Sequence, residues 1–418
     1  MAKVDQRGFN NQRTDFLPAA AAAALLGVQA RTLYAYASRG LVARVRMGRR
    51  SHYARADLER LKSRHDARAG HGPVAGAALH WGEPVLATHI SEVTPQGPRY
   101  RGQLATDLAT AGICFRQVCH LLWGNQSGAA APAPDPAAPR GPKAGSDPVV
   151  RLMTVTLAGL VRSAAPFGLA PDLERARADT LVLAFASAAG GQAWRGRGDA
   201  ATRFLAGFGL AVTPARRRLV DAALVLCAEH ELNASAFAAR VAASTGADLQ
   251  ACLLAALATF SGPRHGTASR EVEELLLELA GPRRAEALVQ ARTRRGQAMP
   301  GFGHPLYPQG DPRATALLGL VRSARPVSRL RTLEALIAAT RRLRGEHPNI
   351  DAALVAVTLA VGLPPGAGAA LFAVGRAAGW IAHVLEQRLD PATLRPRARY
   401  LGPHAAEPPP SLASAKSR

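Results

Sequence analysis

"AMPGFGHPLYPQGDPR", residues 298–313, interrupts a chain that otherwise reads as one helix after another. Gly301 and Gly303 let the backbone take positive φ or come close to a ligand. Pro305 and Pro308 forbid regular helix just after His304. His304 therefore lies on a stiff loop of small residues, with Asp311-Pro312-Arg313 close behind. Taken alone, the stretch is equally a Gly/Pro-rich surface loop that carries a histidine. Its surroundings decide between the two.

From Arg216 to Arg388, helical periods of ordinary length follow one another, broken by Gly and Pro. Strand signal is confined to "VLATHISEVTPQGPRYRG", a candidate small sheet near the start of the main domain. Aromatics make up only 5% of the 418 residues and alanine dominates, which favours close-packed helices. The predicted fold is mainly α. No stretch is expected to span a membrane, because Arg and Gly break the Ala-rich segments.

Net charge is +22, carried by 48 arginines and only Lys3, Lys62, Lys143 and Lys416. Arginine forks suit carboxylates and phosphates, and a basic face suits nucleic acid. A solvated basic surface accounts for much of the charge without either. The four cysteines show no C-x-x-C spacing and read as buried thiols of a reducing compartment. The N-terminal stretch has no apolar h-region, so a cytoplasmic location is expected.

Residues 16–65 form a compact unit after a flexible stretch at 1–15. "PAAAAAALLGVQARTLYAYASRGLV" reads as helix, Gly27 turn and helix, ended by Gly40. Leu25, Leu26, Val28, Leu33, Tyr36 and Leu41 supply its small core. "ARVRMGRRSHYARADLERL" reads as strand, Gly48 turn, strand, and a helix capped by Asp57. This layout, a winged helix-turn-helix, resembles the small DNA-binding domains of the MerR and excisionase type. Gln29, Arg31, Thr32 and Tyr34 then fall on the recognition helix, and Arg44, Arg46, Arg49 and Arg50 on the wing. A helical appendage packed on a partner explains the same pattern without DNA.

Residues 66–80 read as a linker. The stretch 126–148, with six prolines, reads as a disordered insertion, and 406–418 as a disordered tail. The main helical domain spans 81–405.

Inside it, polar chemistry interrupts the helices at several places. His230 in "CAEHELNASAFAARVAAST" falls on the stripe of Leu219, Ala223 and Leu226, and Asn233 and Ser235 offer caps. A hydrogen-bonded core histidine accounts for this as well as a ligand does. His265 in "SGPRHGTASREVEELLLELAG" precedes a helix capped by Thr267 or Ser269. Helix-start N–H groups would keep its imidazole neutral, fit to donate to a developing enolate oxygen. Asp351 in "HPNIDAALVAVTLAVG" has the position of a cap or first-turn residue. Arg376 lies on the apolar stripe of Phe372 and Trp380, and either snorkels or meets an anion. Arg395 is a second candidate anion clamp.

In this order, these segments are similar to the citrate synthase family. The likeness runs from about Thr88 to Pro403 outside the insertion. It includes "YRG", "CFRQVCHLLWG", "HELNASAFAARVAASTGAD", "GPRHGTAS", "PGFGHPLYPQGDPR", "HPNIDAALVAV", "FAVGRAAGWIAH" and "RPRARYLGP". The resemblance implies large and small helical domains and an acyltransferase that joins acetyl-CoA to oxaloacetate, giving citrate. It implies that His265 stabilises the enol, that Asp351 is the base, and that His304 polarises and protonates the ketone. His230, Arg313 and Arg376 are implied to hold oxaloacetate carboxylates, and Arg395 to reach the site from the partner of a homodimer. Met299, Pro300, Gly301 and Gly303 are implied to belong to the coenzyme A site. No permanently bound cofactor and no metal are implied; acetyl-CoA is a substrate.

The chain departs from the family pattern in "HGTAS", in Arg270 and in "HPLYP". Propionyl-CoA, giving 2-methylcitrate, is an alternative substrate. A regulator that binds DNA and senses oxaloacetate, citrate or an acyl-CoA is an alternative of another class.

Overall fold

The computed structural model describes residues 16–39, 41–47, 50–55, 57–58, 86–124, 147–162, 171–192, 197–324, 328 and 330–396. The expected linker at 66–80 and the tail at 406–418 lie outside them, as does nearly all of the 126–148 insertion. The chain divides into an N-terminal unit and a second unit, Thr88–Pro396.

The N-terminal unit has helices Ala19–Leu26 and Ala30–Ser38 and a hairpin of strands Arg44–Met47 and Arg50–Ala54. Gly27 ends the first helix in the left-handed region, as its position predicted. A short strand, Phe16–Pro18, pairs antiparallel with Arg50–Ala54, so three strands form the sheet. The sequence did not reveal that edge strand: three residues ending in proline carry no alternation.

Ala22, Leu33, Val42, Tyr53 and Leu58 form this unit's core, with Leu25, Leu26, Val28 and Tyr36 packed around them. Leu41, expected in the core, is 44% exposed, and Val42 takes the inward place. Asp57 does not begin its helix, which is under way at Arg55. Its carboxylate accepts the Ala43 N–H at 2.7 Å and ties the helix to the residue just before the hairpin.

The second unit opens with a small antiparallel sheet, Ser91–Thr94, Gly97–Tyr100 and Gln103–Leu104. All its later described elements are helices. Pro148 and Asp147 leave the expected insertion and start the helix Pro148–Arg162. Proline is favoured in a first helical turn, where its missing N–H costs nothing. Asp147 Oδ1 accepts the Val149 and Val150 N–H groups.

The helix Ala367–Gln387 runs through the core. Contrary to the sequence expectation, it is long and apolar enough to cross a membrane, but 94% of its most apolar window is buried inside the protein. Two glycines let it cross the helix Pro214–Cys227 closely. A Cβ on Gly375 would stand 2.7 Å from the Leu224 carbonyl oxygen, and one on Gly379 would overlap the Glu229 carboxylate. The crossing sets Arg376 against the end of the other helix, where its Nε donates to the Cys227 carbonyl at 2.8 Å. Such terminal carbonyls lack helical partners, so the arginine caps them while it is itself held.

Of the cysteines, Cys119, Cys227 and Cys252 are buried free thiols, whereas Cys114 is half-buried beside Gln117.

Candidate active site

The loop at 298–313 is folded by its own small residues and by the segment before Asp351. Gly303 N–H donates to the His347 carbonyl at 2.8 Å, and Asn349 N–H to the Gly301 carbonyl at 2.9 Å. The Asn349 side chain donates to the Gly303 carbonyl. Gly301, at φ +81°, packs against Val272 and Ala352, where any Cβ would collide. The loop is thus pinned to the first turn of the helix Ile350–Val361. Met299 is buried, and Arg292 and Arg344 donate to the neighbouring Ala298 and Gln297 carbonyls.

On this loop His304 packs against His230 and Tyr307, at ring-centroid separations of 5.4 and 4.9 Å. The Leu306 N–H donates to His304 Nδ1 at 3.2 Å. That nitrogen is therefore unprotonated, and the neutral ring carries its hydrogen on Nε2. Burial, and then the Arg313 charge, push the His304 pKa down to about 4, so the neutral form holds throughout the physiological range. His230 is held well below its usual value by burial, followed by Arg313 and Arg376. Its Nε2 lies 3.0 Å from the Tyr307 hydroxyl.

Arg313 is fully buried and gripped by Asp311 through two hydrogen bonds, of 3.0 and 2.8 Å. Burial opposes both charges, but each partner's field outweighs it: the Asp311 pKa falls and the Arg313 pKa rises. Asp311 also caps the helix Pro312–Ser323. Arg376 is buried over the Phe372 ring, 4.9 Å from its centroid. Among the described residues, no carboxylate comes within ion-pair distance of it. A guanidinium so placed is a site for an anion.

His265 sits in the turn before the helix Ala268–Leu279, with its ring edge-on to Phe260. Thr267 occupies the cap position but donates its hydroxyl back to the Gly262 carbonyl, so neither Thr267 nor Ser269 makes the expected side-chain cap. The His265 pKa is pushed down to about 4, chiefly by burial and then by Arg376.

Its Nε2 is 2.8 Å from Ser235 Oγ, which accepts the Trp380 indole N–H at 2.9 Å. The serine has one proton and two acceptors in reach, His265 Nε2 and Asn233 Oδ1. Given to His265, that proton leaves the ring hydrogen on Nδ1, which has no partner among the described residues.

Asp351 lies in the first turn of its helix, behind the cap Asn349. Its Oδ1 is enclosed and has no hydrogen-bond partner. Burial, with Asp311 and Glu271 adding to it, pushes the carboxyl up to about 7 against the pull of Arg313 and Arg376. The same two arginines act on the histidines, Arg313 on His304, Arg376 on His265 and both on His230. Three imidazoles, one carboxylate and two guanidiniums therefore share one electrostatic site.

Arg395 is not brought into this cluster. It is exposed on the segment after the central helix, next to Leu394, whose N–H bonds Ser244. Arg270 pairs with Asp147 at the start of the helix Pro148–Arg162. Among the described residues, no group of His, Cys, Asp and Glu could hold a metal ion.

Sequence reasoning missed the supporting roles of Tyr307, Asp311 and Ser235. Asp311 could have been found, since an aspartate before Pro-Arg is a helix-start signal. In the N-terminal unit, Arg31, Tyr34, Arg44 and Arg46 are exposed and Thr32 is half-buried. Arg49 and the Arg50 side chain lie outside the described residues.

Residues 169–397 match the family model for the citrate synthase C-terminal domain, and residues 18–70 match the MerR helix-turn-helix regulatory family. A Mycobacterium tuberculosis relative whose name assigns it to citrate synthases is 32% identical over 357 residues, 78% of this chain and 93% of that protein. Citrate synthase 2 of Bacillus subtilis is 34% identical over 198 residues, and the chain spans about half (52%) of its length. Among solved structures, citrate synthase from Thermotoga maritima superposes with a TM-score of 0.65 at 26% identity, covering 79% of this chain and 96% of that one. The Thermoplasma acidophilum enzyme, in ternary complex with carboxymethyl coenzyme A and oxaloacetate, has a TM-score of 0.68 over 78% and 96% of the two chains; at 24% identity it speaks to the fold alone. With the family model covering more than half its length and a relative matched almost end to end, the chain belongs to the citrate synthase family.

Proposed function

We propose that this chain condenses acetyl-CoA with oxaloacetate and water to give citrate and free coenzyme A. Asp351 removes a methyl proton from the thioester while His265 donates a hydrogen bond to the forming enol. The enol carbon attacks the ketone of oxaloacetate. His304 gives its Nε2 proton to the ketone oxygen, and water then cleaves the thioester. A thioester α-proton is weakly acidic, so the base and the enol-stabilising donor must act together.

The observation that carries this reading is Asp351, whose Oδ1 is enclosed and unpartnered and whose carboxyl is pushed up to about 7, among three neutral imidazoles. A neutral donor stabilises an enol without protonating the base beside it. His230, Arg313 and Arg376 hold the oxaloacetate carboxylates, and the loop at Met299, Pro300, Gly301 and Gly303 receives coenzyme A. Arg395, exposed and away from the cluster in its own chain, fits a residue that serves the site of a partner subunit in a homodimer.

Thiol release from acetyl-CoA, measured with and without oxaloacetate, tests the reading. Release that depends on oxaloacetate supports it; none refutes it.

The exposed Arg31, Tyr34, Arg44 and Arg46, within the segment that matches MerR regulators, favour a second activity, duplex DNA binding. Replacing Arg44 and Arg46 by alanine should then weaken duplex binding and lower its salt slope by about one for each arginine removed. Binding without salt dependence, or none, removes this second activity.

A further inference from the structure

His230 is presented at a strained point in the chain. It follows the end of the helix Pro214–Cys227, and the next residue, Glu231, takes φ +58° without being glycine. A non-glycine residue holds that conformation only where its surroundings enforce it. The helix end is a further liability, since its last carbonyls have no helical donors.

Both problems are met by one pair of residues on the small hairpin. Ser91 and Tyr100 face each other across its antiparallel strands. The fully buried Tyr100 hydroxyl lies 3.0 Å from the Val225 carbonyl and 3.2 Å from the Glu229 carbonyl, and it accepts the Glu229 N–H at 3.3 Å. Ser91 Oγ accepts the Glu231 N–H at 3.3 Å and donates to Glu229 Oε1 at 3.4 Å. The hairpin thus grips the chain on both sides of His230. Glu229 is in turn fixed from behind by His383 Nε2, 3.2 Å from Oε1, with both side chains fully buried.

We propose that Ser91 and Tyr100 are positioning residues for His230: they clamp the helix end and the left-handed turn between which that imidazole is offered to an oxaloacetate carboxylate. The assignment rests on the reading that His230 binds that carboxylate. Neither residue touches the substrate. Each acts by keeping the ring where Tyr307 and His304 meet it.

The test is the oxaloacetate Kd of the full-length chain, measured by titration calorimetry without acetyl-CoA. Ser91→Ala and Tyr100→Phe should each weaken binding about tenfold, the scale of one missing hydrogen bond. Ser91→Thr, which keeps the hydroxyl, should restore affinity. Ser91 is half-buried, so Ser91→Ala carries the test if Tyr100→Phe fails to fold. In a His230→Asn background, Ser91→Ala should add less than about a further twofold, because both changes act on one contact. If His230→Asn weakens binding but the hairpin variants bind like wild type, the positioning role is wrong. It is also wrong if the effects of Ser91→Ala and His230→Asn simply multiply, as a general loss of structure would make them. If His230→Asn itself binds normally, the carboxylate reading beneath the proposal fails instead.

Discussion

The Asp311 carboxylate accepts the backbone N–H of Ile350 at 3.0 Å through the same oxygen that holds Arg313. The loop that carries His304 and the helix that carries Asp351 are therefore joined at one atom. Arg313, His304 and Asp351 are mechanically coupled through this one carboxylate.

Asp311→Asn should break this junction electrically while nearly preserving its shape. A buried guanidinium left without its counter-charge costs about 3–5 kcal/mol. Chemical denaturation should report a loss of that size, with weaker oxaloacetate binding. A variant as stable as wild type would mean that another group compensates Arg313.

Asp351→Asn should reduce turnover on the order of a thousandfold while leaving oxaloacetate affinity nearly intact. Its stability effect has the opposite sign. A carboxyl whose pKa is raised in the folded state binds a proton that the unfolded chain has already released. Stability therefore falls as pH rises from the usual carboxylate range through about 7. Well above pH 7 the ionised group destabilises the fold by up to about 4 kcal/mol. The neutral amide in place of the carboxylate should thus raise the melting temperature at high pH, and the gain should vanish in mild acid. Equal melting temperatures at every pH would place Asp351 in contact with water.

His265 and His304 titrate the other way. Each is pushed down to about 4 by burial, so each contributes stability above its unfolded pKa near 6.5 that is lost as pH falls toward 4. Replacing either by Gln should flatten the acid limb of the stability profile by roughly one proton. The slope of unfolding free energy against pH measures this, and an unchanged slope would contradict the burial of the ring.

Ser235→Ala should separate orientation from binding. It removes the hydrogen-bond partner of His265 Nε2 and leaves the Trp380 indole N–H without an acceptor. Turnover should fall on the order of a hundredfold, and stability by about 1–3 kcal/mol. Oxaloacetate affinity should be unchanged. Full turnover would show that His265 selects its tautomer unaided.

The helical architecture was legible in the sequence, and His230, His265, His304, Arg313, Asp351 and Arg376 could be singled out as polar residues among helical periods, with their roles given by the family resemblance. What holds them was less legible. Ser235 looked like a cap, and its contact with His265 joins a helix to a turn 30 residues later that no local pattern relates to it. Tyr307 read as part of a loop, yet it joins His230, 77 residues earlier, to the cluster. The burial that holds the His265 ring neutral was hidden for the same reason: burial is a tertiary quantity, whereas a helix start can be read locally. Leu41 and Val42 show the limit on a smaller scale, since one residue of register decides which of two adjacent apolar side chains faces inward.

The crossing at Gly375 and Gly379 has a cost in design freedom. A loop on the surface can lengthen by many residues, but here the smallest possible enlargement, one methyl group, meets a backbone oxygen of the facing helix or the Glu229 carboxylate just beyond its end. Since Arg376 hangs between the two glycines on the same helix, spreading the helices would pull its guanidinium off the Cys227 carbonyl. At this crossing the residues least able to change are thus the two with no side chain at all.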